Sequence, residues 1–153
     1  MVQENSLIST IRKRVSVRTY EKRTLTKEDR NALLKEIESL KNPFGVKVHV
    51  SMIDKELNPS GEKLGTYGII KGAKTFLGVS AANAKFAGIA VGYDFESLIL
   101  FATSIGLGTV WLAATFNRER FANAMNIPEK EKLIAISPVG YPAEKRSITE
   151  NIM

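Results

Sequence analysis

FAGIAVGYDFESLILFATSI, residues 86–105, is the stretch whose reading decides what kind of protein this is. It has roughly the length of an apolar run that crosses a bilayer. Asp94 and Glu96 stand at its middle, where charge in hydrocarbon is costly, and Gly92 interrupts it. The stretch therefore reads as a buried helix of a soluble protein and not as a membrane span. A helix that is apolar on every side must be covered by the protein's own core or by a second subunit. Its expected extent is about 83–105, with Gly106 and Gly108 as breakers at the C-terminal end.

On either side of this helix the hydrophobic period changes from helical to alternating. TVWLAA (109–114) resumes extended structure after the glycines, and KTFLGVS (74–80) reads as a strand before the helix. Val46, Val48, Val50 and Met52 alternate with Lys47, His49 and Ser51, the pattern of a half-buried strand. A polar loop, ELNPSGEKLGTYG (56–68), follows it. Further downstream, Asn117 caps a short helix that runs through Met125, Pro128 ends the next turn, and residues 133–138 supply a last strand. Near the start, Asn5 or Ser6 caps a short helix carrying Leu7, Ile8 and Ile11 on one face and ending near Arg14. Thr26, with Asp29 three residues on, opens a second amphipathic helix through Leu33, Leu34, Ile37 and Leu40, and Asn42-Pro43 stops it. Helices and short strands mix without regular βαβ spacing. The expected class is α+β, a mixed or antiparallel sheet flanked by helices, in one domain over residues 1–153. No glycine set forms GxGxxG after a strand, and no Walker loop occurs.

Composition narrows the chemistry. The 153 residues are 44% hydrophobic and 25% charged, ordinary for a globular protein with a core of its own. Lys+Arg 22 against Asp+Glu 16 leaves +6, which favours anionic ligands such as nucleotides and phosphates. The aromatics do not interleave with the basic residues as in RNA-binding surfaces, and zinc-finger and basic-zipper spacings are missing, so nucleic acid is not the expected partner. With no cysteine there is no disulfide, thiolate metal site or cysteine nucleophile; this fits a reducing cytoplasm and means that redox chemistry must come from a cofactor. His49 is the single histidine, on the polar side of its strand, so neither a metal cluster nor a Ser-His-Asp set is expected. The start, MVQENSLIST, carries no basic-then-apolar leader.

The most suggestive side chains lie in RKRVSVRTY (12–20), where the first helix gives way to extended chain. Alternation along it points Arg14, Ser16 and Arg18 to one side and Val15 and Val17 to the other. Two guanidinium forks and a hydroxyl suit phosphate oxygens, although basic runs more often form solvated surface. Asp94 and Glu96 read either as an acid/base pair tuned apart or as acidic groups opening the long helix. Trp111 reads first as core, then as interface anchor or ligand neighbour, and Tyr93 and Tyr141 as residues able to stack on or donate to a ligand.

Four segments stand in a recognisable order: RKRVSVRTY (12–20), GTYGIIKGAKTF (65–76), GYDFESLILFATSIGLGTVWL (92–112) and ISPVGYP (136–142). Together they resemble the FMN-dependent nitroreductase family, in particular a subgroup with this glycine-tyrosine-acidic opening to the long helix. The resemblance implies the nitroreductase fold, with the long helix at a homodimer interface and FMN in the subunit crevice. It implies that Arg14, Ser16 and Arg18 grip the FMN phosphate, that Thr66 and Tyr67 contact the ribityl chain or ring edge, and that the backbone of Leu112, Ala113 and Ala114 lies along the isoalloxazine, offering N–H groups near N5 and O4. It also implies two half-reactions without a catalytic side chain: NAD(P)H reduces the flavin, which then reduces a small electron acceptor such as a nitroaromatic or quinone. GYP (140–142) takes a structural turn role. One family segment, an alanine-proline-serine start followed by asparagine, glutamine and a proline-tryptophan pair, is missing. The chain then reads as the N-terminal part of a longer protein, as a short member completing its site from another subunit, or as one that has lost the flavin. A flavin- or nucleotide-binding protein without turnover, for storage or sensing, is the alternative function.

Overall fold

The computed structural model describes residues 4–54 and 69–143. In chain order the elements are α1 (Glu4–Lys13), α2 (Lys27–Ser39), β1 (His49–Asp54), β2 (Thr75–Ala82), α3 (Ala87–Ser104), β3 (Gly108–Thr109), α4 (Arg118–Ala124) and β4 (Glu131–Gly140). The strands form one sheet in the order β1-β2-β4-β3, every pair antiparallel. The expected α+β class with an antiparallel sheet holds. The polar loop at 56–68 lies outside the described residues.

Both faces of the sheet are covered. Leu77, Val79, Ala135 and Val139 face α3, which buries Val91, Phe95, Leu98, Ile99 and Ala102 against them, with Leu33 of α2 beside it. Phe76, Leu112, Leu133 and Ile136 face the other way onto Phe116, Phe121 and Met125 around α4. Phe121 meets the edges of Phe76 and Phe116 at 5.3 and 5.6 Å between ring centroids. Burying each such side chain contributes about 1.5–3 kcal/mol. Leu133 and Ala135, two residues apart, face opposite sides because the β2–β4 register shifts between Val79 and Ser80, leaving Ile134 as the extra residue of a bulge.

The caps of α2 and α4 are those expected: Thr26 Oγ1 accepts from the N–H of Asp29 at 3.1 Å, and Asn117 Oδ1 from Arg120 at 3.0 Å, whereas α1 already begins at Glu4, so Asn5 and Ser6 lie inside it and do not cap it. α3 differs. It starts at Ala87 instead of about 83, behind Phe86, which adopts a left-handed conformation with φ 67° and gives no side-chain cap. Even with this later start, Asp94 and Glu96 lie in mid-helix and not in the first turn, so they do not open the helix. One stripe of α3, through Ala90, Asp94, Leu98 and Ala102, is buried, while Ile89 and Tyr93 on the other side are 57% and 50% exposed. The described residues therefore cover α3 on one side only, not all round. On α1, Leu7, Ile8 and Ile11 are likewise exposed, while Thr10 is buried.

Buried Asp94 ties α3 to the turn after α2. Its Oδ2 accepts from Asn42 Nδ2 at 2.9 Å, and Asn42 also donates to the Val46 carbonyl at 2.8 Å and accepts from the Phe44 N–H at 3.0 Å. Asp94 Oδ1 has no partner among the described residues.

Residues 16–20 add to the sheet beyond β3. Ser16 bridges Thr109 in parallel, with the Val17 N–H donating to the Thr109 carbonyl at 2.9 Å; Lys71 then donates to the Arg18 carbonyl at 2.9 Å and its carbonyl accepts from Tyr20 at 2.8 Å. Gly72 permits this second junction. Its φ is 87°, and a Cβ there would sit 2.0 Å from the Tyr20 carbonyl oxygen, which is backbone and cannot move aside alone.

Gly72→Ala is expected to destabilise the fold by about 2 kcal/mol or more, read as a lower urea midpoint at unchanged slope. Asn42→Ala, which strips Asp94 of its donor, is expected to cost about 1–3 kcal/mol in the same assay.

Candidate functional site

The basic cluster and the extended segment after β3 converge on this edge of the sheet. Val17 and Tyr20 turn inward and are buried, while Arg14, Ser16 and Arg18 are half-buried along the rim. Val15 does not join Val17: it is 45% exposed, in the stretch between the end of α1 and the first bridge to β3, where no strand partner holds it. Val17 comes close because Gly108 lacks a side chain; a Cβ there would lie 3.0 Å from the Val17 Cβ. The approach is a matter of space, not of dihedral angle.

Beyond β3 the pairing with β4 continues under an unusual constraint. Pro138 of β4 has no N–H to give to the ladder. The Val110 N–H reaches the Pro138 carbonyl through Ser137, whose Oγ accepts from it at 3.0 Å and donates to that carbonyl at 2.7 Å. Pairing resumes at Leu112, whose N–H donates to Ile136 at 2.8 Å and whose carbonyl accepts from Ile136 at 2.9 Å. The buried Leu112 thus has its N–H committed to the sheet. The next two residues leave it. Ala113 and Ala114 are exposed, and no group among the described residues accepts from their N–H groups. The Ala113 carbonyl accepts from Arg118 Nη2 at 2.5 Å.

Ser16 lies beside Thr109, four residues before Ala113, so an extended chain separates cluster from ledge by about 13 Å. The structure brings Arg14, Ser16 and Arg18 and residues 112–114 to one sheet edge. Thr66 and Tyr67 lie outside the described residues. Lys71, whose backbone bridges Arg18 and Tyr20, is a cation at this edge that the sequence does not announce, since no local signal marks a long-range parallel bridge. Arg118 was likewise taken only as helix.

The remaining candidates have structural partners. Asp94 points to Asn42, while Glu96 accepts from Trp111 Nε1 at 3.4 Å, and the Trp111 ring meets Phe95 edge-on at 4.8 Å. Trp111 packs on the α3 core, its first expected place. Tyr93 is exposed, edge-on to Phe44 at 6.0 Å. Tyr141 donates to Asp29 Oδ2 and accepts from the Thr26 N–H at 3.0 Å, anchoring the start of α2. Arg23 stacks over the Tyr141 ring at 3.5 Å, and its hydrogen bond to Glu21 raises its pKa above the ordinary guanidinium value. His49 is exposed, as expected of the polar strand side, with Nδ1 3.3 Å from the Glu131 carboxylate. Among the described residues no group of His, Asp and Glu could hold a metal, and no helix is long and apolar enough to cross a membrane.

Comparison with known proteins agrees with this architecture. The model of the family described as "Putative TM nitroreductase" matches residues 6–151. Among solved structures, the chain is similar to a "Putative NADH dehydrogenase/NAD(P)H nitroreductase" from Bacteroides thetaiotaomicron, with 24% identity and a TM-score of 0.75 over 95% of this chain and 91% of that one. A nitroreductase with bound FMN from Bacteroides fragilis shares 20% identity at a TM-score of 0.72, covering 94% and 92%. An FMN-dependent nitroreductase from Clostridium difficile shares 18% at 0.73, covering 95% and 94%. The comparison with curated proteins found no match. The expectation that this chain corresponds only to the N-terminal part of the family pattern is corrected, because it spans nearly the whole of these domains. With its sheet order, flanking helices and family match agreeing over almost its full length, the chain belongs to the nitroreductase family.

Proposed function

We propose that this chain is an FMN-dependent oxidoreductase that takes electrons from NAD(P)H and passes them to a small acceptor. One observation carries the reading: a two-arginine, one-hydroxyl cluster and a side-chain-poor ledge, with two amides that no described residue engages, share one sheet edge. This arrangement fits the proposed group. Arg14 and Arg18 would neutralise the phosphate, with Ser16 adding a neutral donor, since charge-assisted bonds to guanidinium are the stronger kind. Ala113 and Ala114 let a flat ring come close to the backbone and direct N–H groups at its polar edge, in the manner of preorganised donors. Leu112 backs the ledge with its side chain, while its own N–H stays in the sheet. Thr66 and Tyr67 belong to the proposed ribityl or ring-edge contact. The chemistry that bound FMN supplies is two-electron transfer from NAD(P)H to an electron-poor acceptor such as a nitroaromatic or quinone. The protein's share is to bind, orient and keep water away, so no catalytic side chain is assigned.

The proposal includes a homodimer of single-domain chains in the cytoplasm. Leu7, Ile8 and Ile11 of α1 and Ile89 and Tyr93 of α3 are exposed apolar groups on two helices that pack together, an area that a second copy would cover.

Purified protein is expected to be yellow and to bleach with anaerobic NADPH. Protein that stays colourless after incubation with FMN overturns the reading, and yellow protein that NADH and NADPH both leave unbleached selects storage or sensing instead. Arg14→Ala and Arg18→Ala are each expected to weaken FMN binding by about ten- to a hundredfold in fluorescence titration, while Ala114→Leu blocks the ring with little change in stability. Light scattering of an Ile8→Asp/Ile89→Asp variant is expected to give the monomer mass, against twice that for the parent.

A further inference from the structure

We infer that Arg118 is a positioning residue that aims the amide of Ala114 at the ligand; the inference rests on the flavin reading above for what that ligand is. Arg118 opens α4, and its guanidinium gathers three main-chain carbonyls: Ala113 through Nη2 at 2.5 Å, and Leu133 and Ile134 through Nη1, the latter at 3.2 Å. Two of these belong to the bulge in β4, where the register shift leaves Ile134 out of the β2 ladder. The third belongs to the ledge. The group also lies over the Phe116 ring at 4.9 Å, and Phe116 is itself buried in the α4-side core. A planar fork with donors in fixed directions can hold several carbonyls at once, which a point charge on a flexible stem cannot.

The consequence follows from peptide geometry. The carbonyl of Ala113 and the N–H of Ala114 are in one peptide unit, and there is no cis bond among the described residues, so the two groups point in opposite directions. With the carbonyl turned in to Arg118, the N–H of Ala114 is turned out, toward the side where Ala113 and Ala114 are exposed and no group among the described residues accepts from it. Without Arg118, nothing else among the described residues bonds the Ala113 carbonyl, and the peptide plane is free to rotate. The bulge in the central strand and the helix start at Arg118 thereby set the direction of a donor on the sheet edge.

The test compares the parent with Arg118→Ala and Arg118→Lys. In flavin-free protein, the ¹⁵N order parameter at Ala114 is expected to fall from about 0.85 to below about 0.6 in both variants. In flavin-loaded protein, Arg118→Ala is expected to bind FMN and riboflavin at least tenfold more weakly, with the ratio of the two unchanged because the defect is at the ring and not at the phosphate. The reduced form is expected to lose a further tenfold, which lowers the two-electron potential by about 30 mV. Arg118→Lys keeps the charge and serves as the folded control should the alanine variant fail to fold. If Arg118→Lys matches the parent in order parameter and potential, charge alone suffices and the positioning role is overturned. An unchanged order parameter in Arg118→Ala overturns it as well. A parent protein that binds neither flavin refutes the flavin reading instead, and the order-parameter comparison still decides whether Arg118 holds the ledge.

Discussion

The parallel attachment of residues 16–20 to the sheet edge is the constraint on which the rest depends. A short extended segment has little stability of its own, and here it is fixed by main-chain hydrogen bonds to Thr109 on one side and Lys71 on the other. Those bonds form only because two positions have no side chain: Gly108 leaves room for Val17, and Gly72 accepts both a left-handed backbone and the Tyr20 carbonyl. Ser16 and Arg18 are fixed on the edge by this attachment, while Arg14 follows the last turn of α1, its N–H donating to the Thr10 carbonyl. A guanidinium on a loose arm would lose rotational freedom on meeting a phosphate, and anchoring the backbone beforehand removes part of that cost.

The second organising element is the interruption of β4. Pro138 removes one ladder donor, and the Ser137 hydroxyl relays the other bond of that pair, accepting from the Val110 N–H and donating to the Pro138 carbonyl, while the extra residue at Ile134 switches which side chains face which core. Both irregularities sit opposite the segment that carries the candidate ledge. Barrels and sheets often bend and bulge next to sites, since a regular ladder would use every N–H that a ligand needs. Leu112 illustrates the cost of regularity: its N–H is taken by Ile136, and the open amides begin only where pairing ends.

Much of the local structure was legible. Thr26 and Asn117 cap the helices their spacing announces, the runs at 74–80 and 133–138 are strands, the run at 46–52 becomes one from His49 and that at 109–114 only at its start, and the order of four motifs identified the family. These features depend on neighbours within a few residues, where backbone geometry and side-chain period are direct constraints. The start of α3 was not legible, because Phe86 in a left-handed conformation is an unfavourable local choice that only the surrounding packing sustains. Nor was the role of Asp94, since its partner Asn42 lies 52 residues away.

Residue order alone determined that a cysteine-free, basic α+β chain would carry Arg14, Ser16 and Arg18 close together after its first helix, and two alanines after a tryptophan-leucine pair. Tertiary structure decided that these meet at one edge, that Leu112 has no N–H to spare, and that Arg118 holds the Ala113 carbonyl. The physical reason is range: helical and strand periods are written in adjacent residues, whereas a hydrogen bond between segments tens of residues apart is settled by which surfaces the two cores bring into contact.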